Sequence, residues 1–317
     1  MSCGLPGSGR NVKFGGMAVV DAHVHLYPPE VNRDPAGWAV AQGESHWAVM
    51  CARVRKASGR PVQGFPSADV LLRDMDAAGV DRAVLLGWYW ERAETCMLQN
   101  RFYAECVRAH PDRLSAFAAV HPAAGAAAWA EVRRAKEDGL IGLGELSPHS
   151  QGVAVDDERW LAVLALAGEL GMPVNLHVTD PLIGKYPGRV ETPPADFWAM
   201  AEAFPQVRFV LAHWGGRLWR DGEAGGAATG TRALPDNVWV DTAATPLLYG
   251  EPIWAEGLAA CGAERVLWGT DYPLELYPKE PGRGTFAGLL AETRARVAAG
   301  AAGEVLGGNA GRVLGIG

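Results

Sequence analysis

The feature that most restricts this chain is a recurrence: short apolar runs, each closed by turn residues and followed by a helical stretch. Such runs start near residues 83, 114, 140, 174, 208, 238 and 266, and the run Val19-Val20-Asp21-Ala22-His23-Val24-His25 precedes them. Their starts lie about 26 to 34 residues apart, the length of a strand–helix–strand unit. Helical patterns fill the gaps, over 68–78 closed by Gly79, 92–110, 124–138 closed by Gly139, 157–170 closed by Gly171, 194–204 and 252–261, with 286–299 and 304–314 closing the chain. Continuously apolar runs belong to a parallel sheet covered on both faces. Eight of them predict an α/β fold, a closed (β/α)8 barrel. The alternative is an open doubly wound sheet, but the glycine fingerprint of its nucleotide site is missing after the first strand, where His25 and a Pro pair follow.

In such a barrel the chemistry sits at the C-terminal ends of the strands. Five of the eight predicted strands end in a potential metal ligand: His23 and His25, Glu145, His177, His213 and Asp271. The His-x-His pair places two imidazoles on one side of a strand, roughly 6–7 Å apart at Cα, within reach of one cation. Glu145 reads as a metal ligand or as a structural carboxylate paired with an arginine. His177 reads as a ligand or a hydrogen-bonded core residue, since a buried unpaired imidazole is costly. His213 reads as a ligand to a second metal, a proton shuttle or a core residue, and Asp271 as a ligand or the cap of the next helix. The other histidines fall elsewhere: His110 at a helix end, His121 before a proline on the rim, His46 and His149 in loops where they could meet substrate.

With 49% hydrophobic residues among 317, the chain can bury the core of one large domain, 17–317, behind a Gly-rich flexible tail over 1–16. Residues 27–66 depart from the alternating pattern and predict an inserted rim or lid segment, helical near 45–57. The net charge of −7 and the lack of a basic stripe exclude a nucleic-acid partner. No run of ~18 apolar residues offers a membrane span, and the N-terminus lacks the apolar core of a signal peptide. Five scattered cysteines (Cys3, Cys51, Cys96, Cys106 and Cys261) predict reduced thiols in a cytoplasmic protein. Aromatic residues gather at the same strand ends: Trp88, Tyr89 and Trp90, then Trp214 and Trp219, then Tyr272. With Lys185, Arg217 and Arg220 in loops of that face, they predict a small, flat or apolar substrate that carries a carboxylate. Assembly into a homo-oligomer stays open.

Taken together, Asp21-Ala-His-Val-His25, His177, His213-Trp-Gly-Gly, Trp-Gly-Thr-Asp271-Tyr-Pro and the closing Leu-Gly-Gly-Asn309-Ala-Gly-Arg-Val-Leu resemble the amidohydrolase superfamily. The resemblance is to its amidohydrolase-related branch of TIM-barrel metal-dependent hydrolases and decarboxylases, and it covers about 17 to 315. It implies that His23, His25 and His177 bind a divalent metal, zinc first and manganese second, with Asp271 on the same metal as proton acceptor. His213 would orient or deprotonate the nucleophile. Where binuclear members often carry a bridging lysine, this chain has Glu145, which leaves one ion or two open.

That ligand set predicts a metal-dependent hydrolase, in which metal-activated water cleaves a C–N or C–O bond of an amide, ester or lactone. Asp271 is then the general base. A non-oxidative decarboxylase of an aromatic or unsaturated acid would use the same ligands, with Asp271 or His213 protonating carbon, and is the alternative. A barrel that has lost catalysis and serves only to bind is the third reading.

Overall fold

A computed structural model describes residues 17–221, 230–280 and 282–316. Eight parallel strands follow one another in chain order around the sheet: β1 (Val20–Val24), β2 (Arg82–Leu85), β3 (Leu114–Ala118), β4 (Gly142–Leu146), β5 (Val174–Leu176), β6 (Phe209–Leu211), β7 (Val238–Asp241) and β8 (Val266–Leu267). The eighth strand and its continuation return to the first, through Ala22 N–H to Trp268 O at 2.8 Å, Asp271 N–H to His23 O at 2.9 Å and His25 N–H to Tyr272 O at 2.7 Å. Helices between the strands cover the outside, so the architecture is the (β/α)8 barrel that the spacing predicts.

Local chemistry sets the helix bounds. Ser67 Oγ accepts Val70 N–H at 3.3 Å to open the helix Ala68–Ala78, and Gly79 ends it in the left-handed region at φ 75°. Asp157 caps Glu158–Glu169 through Arg159 N–H at 2.8 Å. The largest apolar cluster joins strand residues such as Leu85, Leu143, Leu176 and Val240 to the helices. A second joins Val20, Ala22, Val84, Phe117 and Leu267 to Val313 and Leu314 of the last helix. Asn309 pins that helix to the start of β8, donating to Ala263 O at 2.8 Å and Val266 O at 2.7 Å.

The sequence reading and the structure differ in three places. Residues 27–66 hold three short helices, Pro29–Arg33, Pro35–Gln42 and Ser45–Cys51, rather than one; prolines at their first positions start the first two. The ladders of β5, β6 and β8 stop short of the predicted ends, so His177, His213 and Asp271 lie just beyond regular strand. A two-stranded ribbon, Arg220–Asp221 with Gly230–Thr231, follows β6. The predicted tail over 1–16 and most of the Gly-rich connection at 222–230 lie outside the described residues. No helix among the described residues is long and apolar enough to cross a membrane. Cys51, Cys96, Cys106 and Cys261 are buried free thiols.

Candidate active site

The site forms where β1, β4, β5, β6, β7 and β8 end. His23 Nδ1 lies 2.8 Å from Asp241 Oδ2, and His25 Nδ1 lies 2.9 Å from Leu86 O. A carbonyl and a carboxylate both accept, so each Nδ1 carries the hydrogen and each Nε2 is left with a lone pair. These two Nε2 atoms face each other at 3.1 Å. A cation satisfies two nitrogens held that close, either a proton shared between them or a metal ion, whose ~2.1 Å bond to imidazole nitrogen fits the gap.

Carboxylate oxygens complete the set. Asp271 Oδ1 lies 3.2 Å from His25 Nε2 and 3.8 Å from His23 Nε2. Glu145 Oε2 lies 3.8 Å and 4.0 Å from the same two nitrogens. The other Glu145 oxygen, Oε1, meets His177 Nδ1 at 2.9 Å and His213 Nε2 at 3.5 Å. The donors thus form two triads, His23/His25/Glu145 and Glu145/His177/His213, joined at Glu145. His177 belongs to the second, with Thr179 Oγ1 3.3 Å from its Nε2.

Backbone geometry positions these groups. His213 and Asp271 adopt left-handed conformations, φ 59° and 66°, that non-glycine residues rarely take. Asp241 Oδ1 accepts His213 N–H at 2.9 Å, and Tyr249 Oη donates to His213 O at 2.7 Å. Gly269 makes room for the pair: a Cβ there would lie 2.7 Å from His23 Cβ. Asp21 ties β1 to the eighth strand's extension, accepting His23 N–H at 2.9 Å and Thr270 N–H at 3.1 Å.

The field of the cluster is negative. Burial opposes the His23 cation, but Asp241, Glu145 and Asp271 together outweigh it and push the ring up to about 10. Burial also opposes the His213 cation, and Glu145 and Asp271 again raise it. Glu145 pays a large desolvation penalty, yet His177, His213 and His23 hold it well below its usual 4.5. Asp241 is lowered in the same way, mainly by His23 against the pull of burial. Charge that draws protons onto these rings draws a divalent cation equally.

A cavity of about 860 Å³ opens on the cluster, lined by His25, Glu145, His177, His213 and Asp271 and walled by Trp88, Tyr89 and Tyr186. Of the residues predicted to meet substrate, Trp88 and Tyr89 line it. The others are placed elsewhere, for identifiable reasons. Trp90 is fully buried behind the wall against Trp38 and Trp47. Trp214 is core, its Nε1 donating to Thr245 Oγ1 at 2.9 Å. Tyr272 stacks on Phe286 at 4.7 Å and reaches Asp74 Oδ2 at 3.0 Å. Arg217 forms a bidentate pair with Asp180, at 2.6 and 3.0 Å. Lys185 is exposed and outside the lining. His149 pairs with Asp196 at 2.8 Å, while His46 Nε2 donates to Gly188 O at 2.8 Å. Sequence reasoning passed over Asp241, Tyr186 and Arg53. Asp241 obeys the strand-end rule that found the others.

Fold and site define a (β/α)8 barrel with a donor cluster able to hold a metal ion at its C-terminal mouth. The amidohydrolase family profile matches residues 20–316, and the chain belongs to that family. Its fold is similar to that of 5-carboxyvanillate decarboxylase from Sphingomonas paucimobilis, at 19% identity over 95% of this chain and 100% of that one, TM-score 0.67. It is also similar to 2,6-dihydroxybenzoate decarboxylase from Rhizobium, at 18% identity over 95% and 99%, TM-score 0.64. A third similar structure is 5-carboxyvanillate decarboxylase from Novosphingobium aromaticivorans, complexed with manganese and 4-hydroxy-3-methoxy-5-nitrobenzoic acid, at 17% identity over 95% and 96%, TM-score 0.70.

Proposed function

We propose that this protein is a metal-dependent non-oxidative decarboxylase of a small aromatic carboxylic acid. The observation that carries the reading is the contact between the donor cluster and an aromatic wall. Trp88 and Tyr89 stack at 4.2 Å, Trp88 lies edge-on to His25 at 6.1 Å, and Tyr89 lies 5.2 Å from His177. A flat ring laid along that wall brings its carboxylate to the donors. Similar folds in decarboxylases of 5-carboxyvanillate and 2,6-dihydroxybenzoate support this over hydrolysis. The manganese-bound relative supports manganese beside the zinc that the sequence favours, and imidazole with carboxylate donors suits either.

His23, His25, Glu145 and Asp271 would hold the ion, which would supply positive charge for the acid's oxygens. Asp271 in its protonated form delivers a proton to the ring carbon that bears the carboxylate, where a ring π pair makes the C–H bond; the carbon–carbon bond then breaks, its electron pair restores the ring, and carbon dioxide leaves. Asp271 lines the open cavity and regains its proton from solvent, while His213, with Nδ1 held by Ala243 O at 3.1 Å, stands beside it. Glu145, shared by two triads, is what a carboxylate bridging two ions requires. That favours metal-assisted hydrolysis of an amide, ester or lactone as a second reading.

The experiment is a panel of hydroxybenzoic acids, amides and lactones, offered to manganese- and zinc-loaded protein. Carbon dioxide release from an aromatic acid, reduced by orders of magnitude in Asp271→Asn, is expected. Cleavage of amides or lactones without carbon dioxide overturns the reading in favour of hydrolysis, and a protein that holds metal yet turns over neither class is a binding barrel.

A further inference from the structure

The cavity that opens on the donor cluster changes character along its depth. At the inner end stand His25, Glu145, His213 and Asp271 with the aromatic wall of Trp88 and Tyr89, all buried. Beyond them the lining is aliphatic: Val62, Ile183, Leu247, Leu248 and Leu274 are half-buried, and Val49 and Val54 are exposed. Among the described residues five large apolar side chains are exposed, and three of them stand at or beside this mouth: Val49 at 44%, Val54 at 56%, and Leu182, next to Ile183 in the chain, at 46%. An apolar surface left open along a cavity marks a place for a ligand. The wall is held from several directions. Leu247 and Leu248 come from the short helix Thr245–Leu248 after β7, and Ile183 from the loop after β5. Val54 and Val62 come from the inserted segment, which Gly64 N–H to Pro273 O at 3.1 Å and Glu275 N–H to Val62 O at 3.0 Å tie to the extension of β8. Charged neighbours in the lining are engaged elsewhere or solvated: Asp180 pairs with Arg217 and Arg55 with Glu275, the Arg53 guanidinium lies over the Tyr186 ring at 5.0 Å, and Lys56 and Lys279 are exposed.

The donors account for one carboxylate and the aromatic wall for one ring. The volume, about 860 Å³, is near the top of the range for small-molecule sites, so the aliphatic part is room beyond both. We infer that the substrate is an aromatic acid bearing an aliphatic chain of several carbons on the side of the ring away from the reacting carboxylate. Val62, Ile183, Leu247, Leu248 and Leu274 form the subsite for that chain, and its end lies at Val49 and Val54. A flexible chain suits a lining contributed by separate loops. A second flat ring would need aromatic partners there, but Trp88 and Tyr89 stand beside His25 and His177, and Arg53 covers the Tyr186 ring. The inference rests on the decarboxylase reading only for the fate of the carboxylate; the chain is bound, not transformed.

Binding decides it, with benzoate and its 4-ethyl, 4-butyl, 4-hexyl and 4-octyl derivatives titrated calorimetrically, below their aggregation concentrations, into the metal-loaded protein. Affinity should rise about two- to four-fold per methylene, the gain from burying a CH2 partly or fully, and level off once the chain end reaches solvent. The heat capacity change should grow more negative with chain length. Raising salt from about 50 to about 500 mM should leave the gain in place, since no charge carries it. Ile183→Asp, which puts a charge in the subsite, should flatten the series, and Val54→Asp, at an exposed position, should remove the gain of the longest chains. A flat series in wild type, a gain that survives both variants, or equal affinity for a chain of the same length interrupted by ether oxygens overturns the inference. The wild-type series decides alone should a variant not fold. A chain-length gain in a protein that releases carbon dioxide from no acid would refute the decarboxylase reading and leave this one standing. Carbon dioxide release from hydroxybenzoic acids with no chain-length gain would do the reverse.

Discussion

Asp241→Asn tests the reasoning about the centre most directly, because it changes a charge and a proton while leaving the shape. Asp241 Oδ1 accepts two backbone N–H groups, from His213 at 2.9 Å and Ala243 at 3.0 Å, and Oδ2 faces His23 Nδ1 at 2.8 Å. An asparagine has one oxygen, and the two backbone donors claim it. Its NH2 then faces His23 Nδ1, which can accept from it only by giving up its hydrogen to Nε2. The hydrogen so moved points at His25 Nε2, 3.1 Å away, where the ion is to be held. Loss of such an outer partner costs 10–100-fold in metal affinity. The enforced tautomer puts this case at the upper end, about 100-fold or about 2.8 kcal/mol. Metal content after dialysis against graded chelator, with a competition titration, reads the affinity; the thermal midpoint checks that the fold persists. Affinity within two-fold of wild type, in a variant that melts normally, would refute the assignment of His23 Nε2 as a ligand.

Other expectations follow from single contacts. Gly269→Ala brings a Cβ to 2.7 Å from His23 Cβ, so metal stoichiometry should fall together with about 1–3 kcal/mol of stability; full occupancy would mean that β1 yields freely there. Burial holds His46 below its usual 6.5, so the unfolded chain takes up that proton first and stability is lost as pH falls through 6.5. His46→Gln should flatten the acid limb of a stability profile between about pH 7 and pH 5, and an unchanged slope assigns that limb to other groups. Burial pushes the thiols of Cys51, Cys106 and Cys261 up to about 11, 12 and 12. Iodoacetamide at about pH 8 should label them only in denaturant, as peptide mapping would report, and rapid native labelling would mean local opening.

The barrel was legible because a period of about thirty residues and continuous apolar runs leave few other folds. The helix 68–78 was legible to the residue, since Ser67 and Gly79 mark both ends chemically. The ligands at strand ends were legible by the same logic, and Asp241 in Val-Trp-Val-Asp was open to it too. Partners were not. Arg217 looked available for substrate because Asp180, 37 residues earlier, is adjacent only in space. Trp88 and Trp90 are two residues apart, yet one lines the cavity and the other packs behind it. Once the chain leaves the ladder at Leu85, alternation no longer says which side a residue faces.

The residues that carry the chemistry are the ones whose local geometry the sequence could not announce. A strand reading extends β6 to His213 and β8 to Asp271, but both sit past the ladder at positive φ. Such conformations cost of order 1–3 kcal/mol each and persist only where the surroundings over-determine them. Here they are: His213 is held by Asp241 at its N–H, Tyr249 at its carbonyl and Ala243 O at Nδ1, 3.1 Å away, and Asp271 N–H is fixed to His23 O across the barrel seam. The left-handed turn redirects each side chain from the wall into the mouth. His213 can then share Glu145 with His177 while Asp271 meets His25, and one carboxylate comes to stand between two imidazole pairs. Apolar burial in the barrel therefore offsets a local conformational cost, and what it holds in place is the convergence of donors on which every function considered for this chain depends.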